Sequence, residues 1–215
     1  NMNTYSEDWR EWFKRNQQGE FNAELVDYGD MEGWQETEMD FDGEIHKVLY
    51  REGAPYAIQG VKIYPPGRNP FYLPSLRRIP KYEKGFVAIA VDKTSDRFIL
   101  QAKQEQGNSP DSNFTVIAPT IQMSEYNYKQ LHGDSAPQRA EWVPHVKTWY
   151  SVPQDGGMLM RKKNQVGFIE LDIDSVETYT NERIFTIKEI QEAIAEGLCA
   201  DHILQAIGIW TAFRG

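Results

Sequence analysis

The chain holds one cysteine, Cys199, in 215 residues. That excludes an internal disulfide and a cysteine-built zinc site. Cysteine this scarce fits a reducing compartment, so a cytoplasmic location is expected. Cys199 lies in an apolar C-terminal stretch, which predicts a buried, inert thiol. Basic residues are short too: 23 Lys and Arg stand against 32 Asp and Glu, a net charge of −9. A nucleic-acid surface needs a basic footprint, and that class of partner is excluded. The exception is the run Arg161-Lys162-Lys163, because a pocket can be positive inside an acidic protein. No apolar run approaches the roughly 18–20 residues that span a bilayer, so no membrane partner is expected. The opening NMNTYSEDWREW has neither a basic start nor an apolar core, and no signal peptide is expected there.

Familiar catalytic signatures are missing as well. There is no P-loop, GxGxxG, HExxH or GxSxG. The four histidines, at 46, 132, 145 and 202, show no metal spacing. The Gly-x5-Glu-x7-Arg-Glu-x-x-Glu-Glu pattern of a Nudix hydrolase is absent, together with the carboxylates that would hold its metal. No metal site is predicted.

What is present is enough for a real core: 40% apolar residues and six Trp. One domain over 1–215 is expected, with an N-terminal helix within 6–19, a core over 33–175 and C-terminal helices over 186–213. Ser6 can cap a helix over roughly 7–18 that carries Trp9, Trp12 and Phe13 on one face. EIHKVLY and YAIQGVKIY read as strands, and the Pro-dense PPGRNPFYLPSLRRIP as a loop. Phe86–Val91 and Phe98–Lys103 read as a hairpin, and Phe114–Met123 as the next strand. Ser124 can cap a short helix reaching about His132, stopped by Gly133. Gly157–Lys163 and Val166–Asp172 suggest a second hairpin. Thr186-Ile187-Lys188-Glu189 is a capping box, and Asp201 can cap a last helix. Helix, strands, helix, strands, helices is the order of an α+β fold with a largely antiparallel sheet.

The stretch Arg97–His132 carries the polar chemistry. Strand alternation puts Gln101, Lys103 and Glu105 on one face, opposite Phe98 and Leu100. Thr120 and Gln122 share a face in the following run, away from Ile117, Ile121 and Met123. On the short helix Tyr128 and His132 are four apart and share a face, with Asn127 adjacent to Tyr128. Plainer readings stand beside these: Tyr128 packs, His132 sits at a helix C-terminus, and Lys103 and Glu105 guard an edge strand. The alternative is a pocket that reads a polar ligand, because Gln and Lys inside a strand must have their donors satisfied.

FILQAKQEQGN, followed by IAPTIQMSEYNYKQLHGD, resembles the signature of the NDP-hexose 2,3-dehydratases. That signature reads approximately LLQAK-x-E-P-G-N, then LSPTVQAT-x-SNY-x-x-x-H-x-G. PKYEKGFVAIAV and MLMRKKNQVGFIEL are similar to flanking family stretches, so the resemblance covers most of residues 9–210. It implies a lyase that removes water across C2 and C3 of a nucleotide-linked 4-keto-6-deoxyhexose, usually with dTDP. It implies no metal or redox cofactor, and a Nudix-like fold with a mixed sheet flanked by helices that has lost the Nudix box.

The chemistry needs a base for the C3 proton, an acid for the leaving hydroxide and donors to the enolate oxygen. The resemblance offers His132 and Tyr128 as acid or base, and Lys103 or Gln101 for the enolate. Glu105 is a second base if burial raises its pKa. Asn108, Thr120, Gln122 and Asn127 would position the substrate, and Arg161 or Lys162 would pair with the diphosphate. Family enzymes carry two tandem copies of the domain and this chain one, with Gly215 read as the end of a copy, so a homodimer is expected. VPQDGG stands where the family has SEQG, and Cys199-Ala-Asp-His-Ile-Leu where it has N-M-D-x-R-T-V-L. The second reading is a non-catalytic or isomerase-like sugar-nucleotide-binding protein on the same pocket.

Overall fold

The computed structural model describes residues 7–79, 84–131, 133 and 135–213. Helix α1 (Trp9–Asn16) buries Trp9, Trp12 and Phe13, as their spacing requires. Its cap is Asp8, whose Oδ1 accepts from Arg10 N at 2.9 Å; the expected cap, Ser6, lies outside the described residues.

Strands β1 (Gln35–Phe41), β2 (Glu44–Tyr50), β3 (Tyr56–Ile63) and β4 (Phe71–Arg78) form an antiparallel meander. Strand β4 corrects the expectation of a continuous loop over 65–80. Proline is tolerated in a sheet where its missing N–H faces no partner. Pro74 pairs with Gly60 of β3, and its nitrogen points the same way as that of Leu76, toward the far edge. Among the described residues, a strand partner meets that edge at Leu76 and Arg77.

Strands β5 (Lys84–Asp92) and β6 (Arg97–Gln104) make the expected hairpin. Asp92 ties its turn, accepting from Ser95 Oγ at 2.6 Å, Thr94 Oγ1 at 3.0 Å and Ile173 N at 3.2 Å. These bonds, Ser95's foremost, hold its carboxyl well below the usual carboxylate range.

The hairpin pairs at Ala90↔Ile99 and Val91↔Phe98 and then forks. Strand β7 (Thr115–Pro119) joins β6, and β8 (Ile121–Ser124) joins β5. The single strand expected over Phe114–Met123 is thus two, broken at Thr120. The Thr120 hydroxyl donates to Ile99 O and accepts from Ala90 N at 2.9 Å, pinning the break at the fork's root. Helix α2 (Glu125–Tyr128) is one turn, capped by Ser124 as expected but not reaching residue 132. Gln130 and Gly133 adopt positive φ, which an α-helix cannot accommodate. His132 lies outside the described residues.

Strand β9 (Tyr150–Pro153) precedes β10 (Leu159–Met160) and β11 (Lys163–Leu171). The second expected hairpin does not form. Strand β11 runs unbroken and parallel to β5 from Lys163↔Lys84 to Leu171↔Asp92, while β10 joins β4 in the first sheet. Arg161, at φ 55°, turns the chain between the two sheets.

Strand β12 (Glu182–Thr186) pairs with β6, and the capping box then opens α3 (Ile187–Ala195). Gly197, at φ 72°, ends that helix region. Residues 198–200 pair with β7 through Ile117 N to Leu198 O (2.7 Å) and Ala200 N to Ile117 O (2.8 Å). This drops α4 (Asp201–Phe213) onto the sheet, with Asp201 inside the first turn and not its cap.

Alternation assigns the faces of the second sheet. Val87, Ile89, Val91, Phe98 and Leu100 pack with the residues of α1, α3 and α4 in one cluster. Ala88, Ala90, Ile99 and Ile121 pack in clusters on the other face. The architecture is mixed α+β, largely antiparallel, with parallel pairs at β4–β10 and β5–β11.

Candidate functional site

The fork between β6–β7 and β5–β8 gathers part of the predicted set. Lys103 Nζ lies 3.0 Å from Glu105 Oε1 and donates to Gln122 O at 3.2 Å. Gln122 Nε2 donates to the same Glu105 Oε1 at 3.3 Å, and Gln122 Oε1 is buried without a hydrogen-bond partner. Glu105 is 40% exposed at its side chain, so the burial on which its role as a second base depends is missing. Here the strand ends and solvent reaches the carboxylate.

Other predicted residues are held within the fold. Gln101 is buried, and its amide donates to Pro119 O at 2.8 Å and Thr120 O at 3.2 Å. Thr120 is fully buried, with its hydroxyl used at the fork's root. Asn108 Nδ2 closes its loop on Phe114 O at 3.0 Å. Asn127 is exposed on α2. Tyr128 packs edge-on against Phe86 at 5.4 Å, within the cluster on the sheet face away from α4. The face expected to join Tyr128 and His132 requires a longer helix than α2 provides.

Arg161 and Lys162 line a cavity of about 640 Å3 between the two sheets. Arg77, Arg78, Lys84 and Lys163 line it too, against one described carboxylate, Asp42. Lys162 Nζ donates to Tyr56 OH at 2.7 Å. So many cations facing one space favour an anion such as a diphosphate. Sequence reasoning found the 161–163 run and missed Arg77, Arg78 and Lys84, which reach the cavity from a different sheet or strand.

His202 was missed as a site residue. It is 8% exposed on α4, and the charges acting on it are Asp201, Lys162, Glu105 and Lys103. Burial, the leading cause, and the two lysines hold its pKa below the ordinary histidine value. Lys162, which lines the cavity, is among the charges that act on His202, although Lys103, Glu105 and His202 do not themselves line the cavity. Among the described residues no group of three or more His, Cys, Asp or Glu is placed to hold a metal ion.

A family model described as NDP-hexose 2,3-dehydratase matches residues 6–203. The chain belongs to the NDP-hexose 2,3-dehydratase family. A relative from Amycolatopsis orientalis, described as dTDP-4-dehydro-6-deoxy-alpha-D-glucopyranose 2,3-dehydratase, is 25% identical over 203 residues. That match covers 89% of this chain and 41% of the relative, so the chain spans less than half of that protein's length. Among solved structures, one described as an ADP compounds hydrolase aligns at TM-score 0.39 and 9% identity, over 75% of this chain and 83% of the other. A likeness that low carries no argument. Within the dehydratase family, the fork and the basic cavity are the two parts of this chain with chemistry to assign.

Proposed function

We propose that the protein is a sugar-nucleotide lyase that removes water across C2 and C3 of a dTDP-linked 4-keto-6-deoxyhexose in deoxysugar biosynthesis. The observation that carries this reading is a cation-lined cavity in the same domain as a fork holding an amine, a carboxylate and an amide. The cavity suits the diphosphate. At the fork, the Lys103 ammonium would stabilise the oxyanion that develops at C4 once the C3 proton is lost. Gln122, with an unused buried acceptor, would orient a sugar hydroxyl. His132 and Tyr128 are retained as candidate acid or base groups, with family resemblance as their support.

The same reading includes a single Nudix-like domain, a cytoplasmic location and a homodimer. The family signature supports the first, and the match to 41% of a longer relative supports the last. No helix among the described residues is long and apolar enough to cross a membrane.

The test is incubation with dTDP-4-keto-6-deoxyglucose, followed by mass spectrometry for loss of one water. Lys103→Ala is expected to lower turnover by about 100-fold with dTDP affinity nearly unchanged, the size of effect seen on removing one oxyanion donor. Tight dTDP binding with no loss of water would replace the lyase reading with a binding or isomerase-like one.

A further inference from the structure

His202 follows closely on residues 198–200, which pair with Ile117 opposite Ala102, the neighbour of Lys103, and its hydrogen bonding is incomplete. Its Nδ1 is buried and makes no hydrogen bond. Asp201 Oδ1 lies 3.5 Å away on a side chain that is 67% exposed. Gln205, three residues along α4 and therefore on the same side of the helix, has its Oε1 buried without a partner. Gln122 Oε1, on β8 at the fork, is in the same condition. Such atoms are costly when left unpaired, and native proteins satisfy nearly all of them with protein, water or ligand. An unpaired imidazole with one amide acceptor on its side of α4, and a second at the fork, suits a ligand rich in hydroxyl groups.

We propose that His202 is the catalytic base of the elimination, an inference that rests on the lyase reading above. Nδ1 takes the proton from C3 as the C3–H bond breaks. The electron pair passes into the C3–C4 bond and onto the C4 oxygen, which Lys103 stabilises. The enolate then collapses: C4=O reforms, a C2=C3 double bond forms and the C2–O bond breaks. The departing oxygen receives the proton back from the imidazolium and leaves as water. The net change is loss of one water, with no oxidant or reductant required.

The charged groups around the ring agree with this role. Lys162, from the turn before β11, and Lys103, from β6, oppose protonation, whereas Asp201 on α4 and Glu105 after β6 favour it. With burial added, the balance depresses the pKa, so the ring is neutral at pH 7 and able to accept a proton. A base of this kind is active above its pKa and lost as pH falls through it. The acid limb of kcat/KM therefore lies below the ordinary histidine value of about 6.5.

The experiment compares wild type with His202→Asn and His202→Gln on dTDP-4-keto-6-deoxyglucose in D2O. It reads water loss, deuterium uptake at C3, dTDP affinity and the pH profile. Both variants are expected to keep dTDP affinity within about threefold, to lose turnover by about 100-fold or more, and to lose C3 exchange. Variants that retain turnover, exchange and the acid limb would overturn the assignment. Loss of dTDP binding in both variants would overturn it too, reducing His202 to a packing residue. A wild-type protein that releases no water fails the lyase reading itself, and the assignment falls with it.

Discussion

Arg139 shows how much of the interior rests on single polar residues. Its Nη2 donates to Glu182 Oε1 at 2.7 Å and its Nε to Glu182 Oε2 at 3.1 Å, with side-chain exposures of 8% and 0%. The guanidinium lies 4.2 Å from the Trp142 ring centroid and 4.3 Å from that of Tyr179. Removing one partner of such a buried pair leaves the other charge uncompensated. Arg139→Met is expected to destabilise the fold by about 3–5 kcal/mol in urea unfolding, and Arg139→Met with Glu182→Leu to recover much of that. A double variant no more stable than the single would show that the pair is needed for more than charge balance. Nothing in the spacing of residues 139 and 182 signals this pair, since the contact depends on β12 lying beside β6. Cys199 is the opposite case. An apolar neighbourhood in sequence became partial burial in space, less than the full burial expected, yet enough to push the thiol up to about 12, the direction of an inert cysteine.

At the scale of elements, local chemistry was legible and long-range pairing was not. The Thr186–Glu189 box, the Gly197 stop and the β5–β6 hairpin depend on residues a few positions apart, and all three formed. The strand over 163–171 was misread as half of a hairpin because a parallel partner, β5, lies some eighty residues earlier and leaves no local mark. That packing has a further consequence at Gly167. A Cβ there would fall on Val146 and within 3.1 Å of Thr148 O, because the segment before β9 crosses directly over β11. Backbone cannot yield as a flexible side chain can. Gly167→Ala is therefore expected to destabilise by about 1–3 kcal/mol, read as a lower urea midpoint; an unchanged midpoint would mean that the crossing segment moves freely.

At the scale of the whole molecule, the chain corresponds to part of a longer relative, covering 41% of it. If two copies stand in for the missing length, sedimentation equilibrium should give about twice 24.9 kDa. A monomer at micromolar concentration would remove the homodimer from the proposal.

The sequence by itself determined the class, the capping of α3 and, through one long motif, the family. These are properties of neighbouring residues and of alternation along a strand. Only the tertiary structure decided which polar groups meet. It drew Gln101 and Thr120 into the sheet, left Lys103, Glu105 and Gln122 at the fork, and joined residues 77, 84 and 161 around one cavity. It also set the start of α4, with His202, beside the β6–β7 pair through the pairing of residues 198–200 with Ile117. The reason is physical: side-chain direction within an element follows from backbone geometry, whereas the meeting of distant elements is set by packing of the whole core.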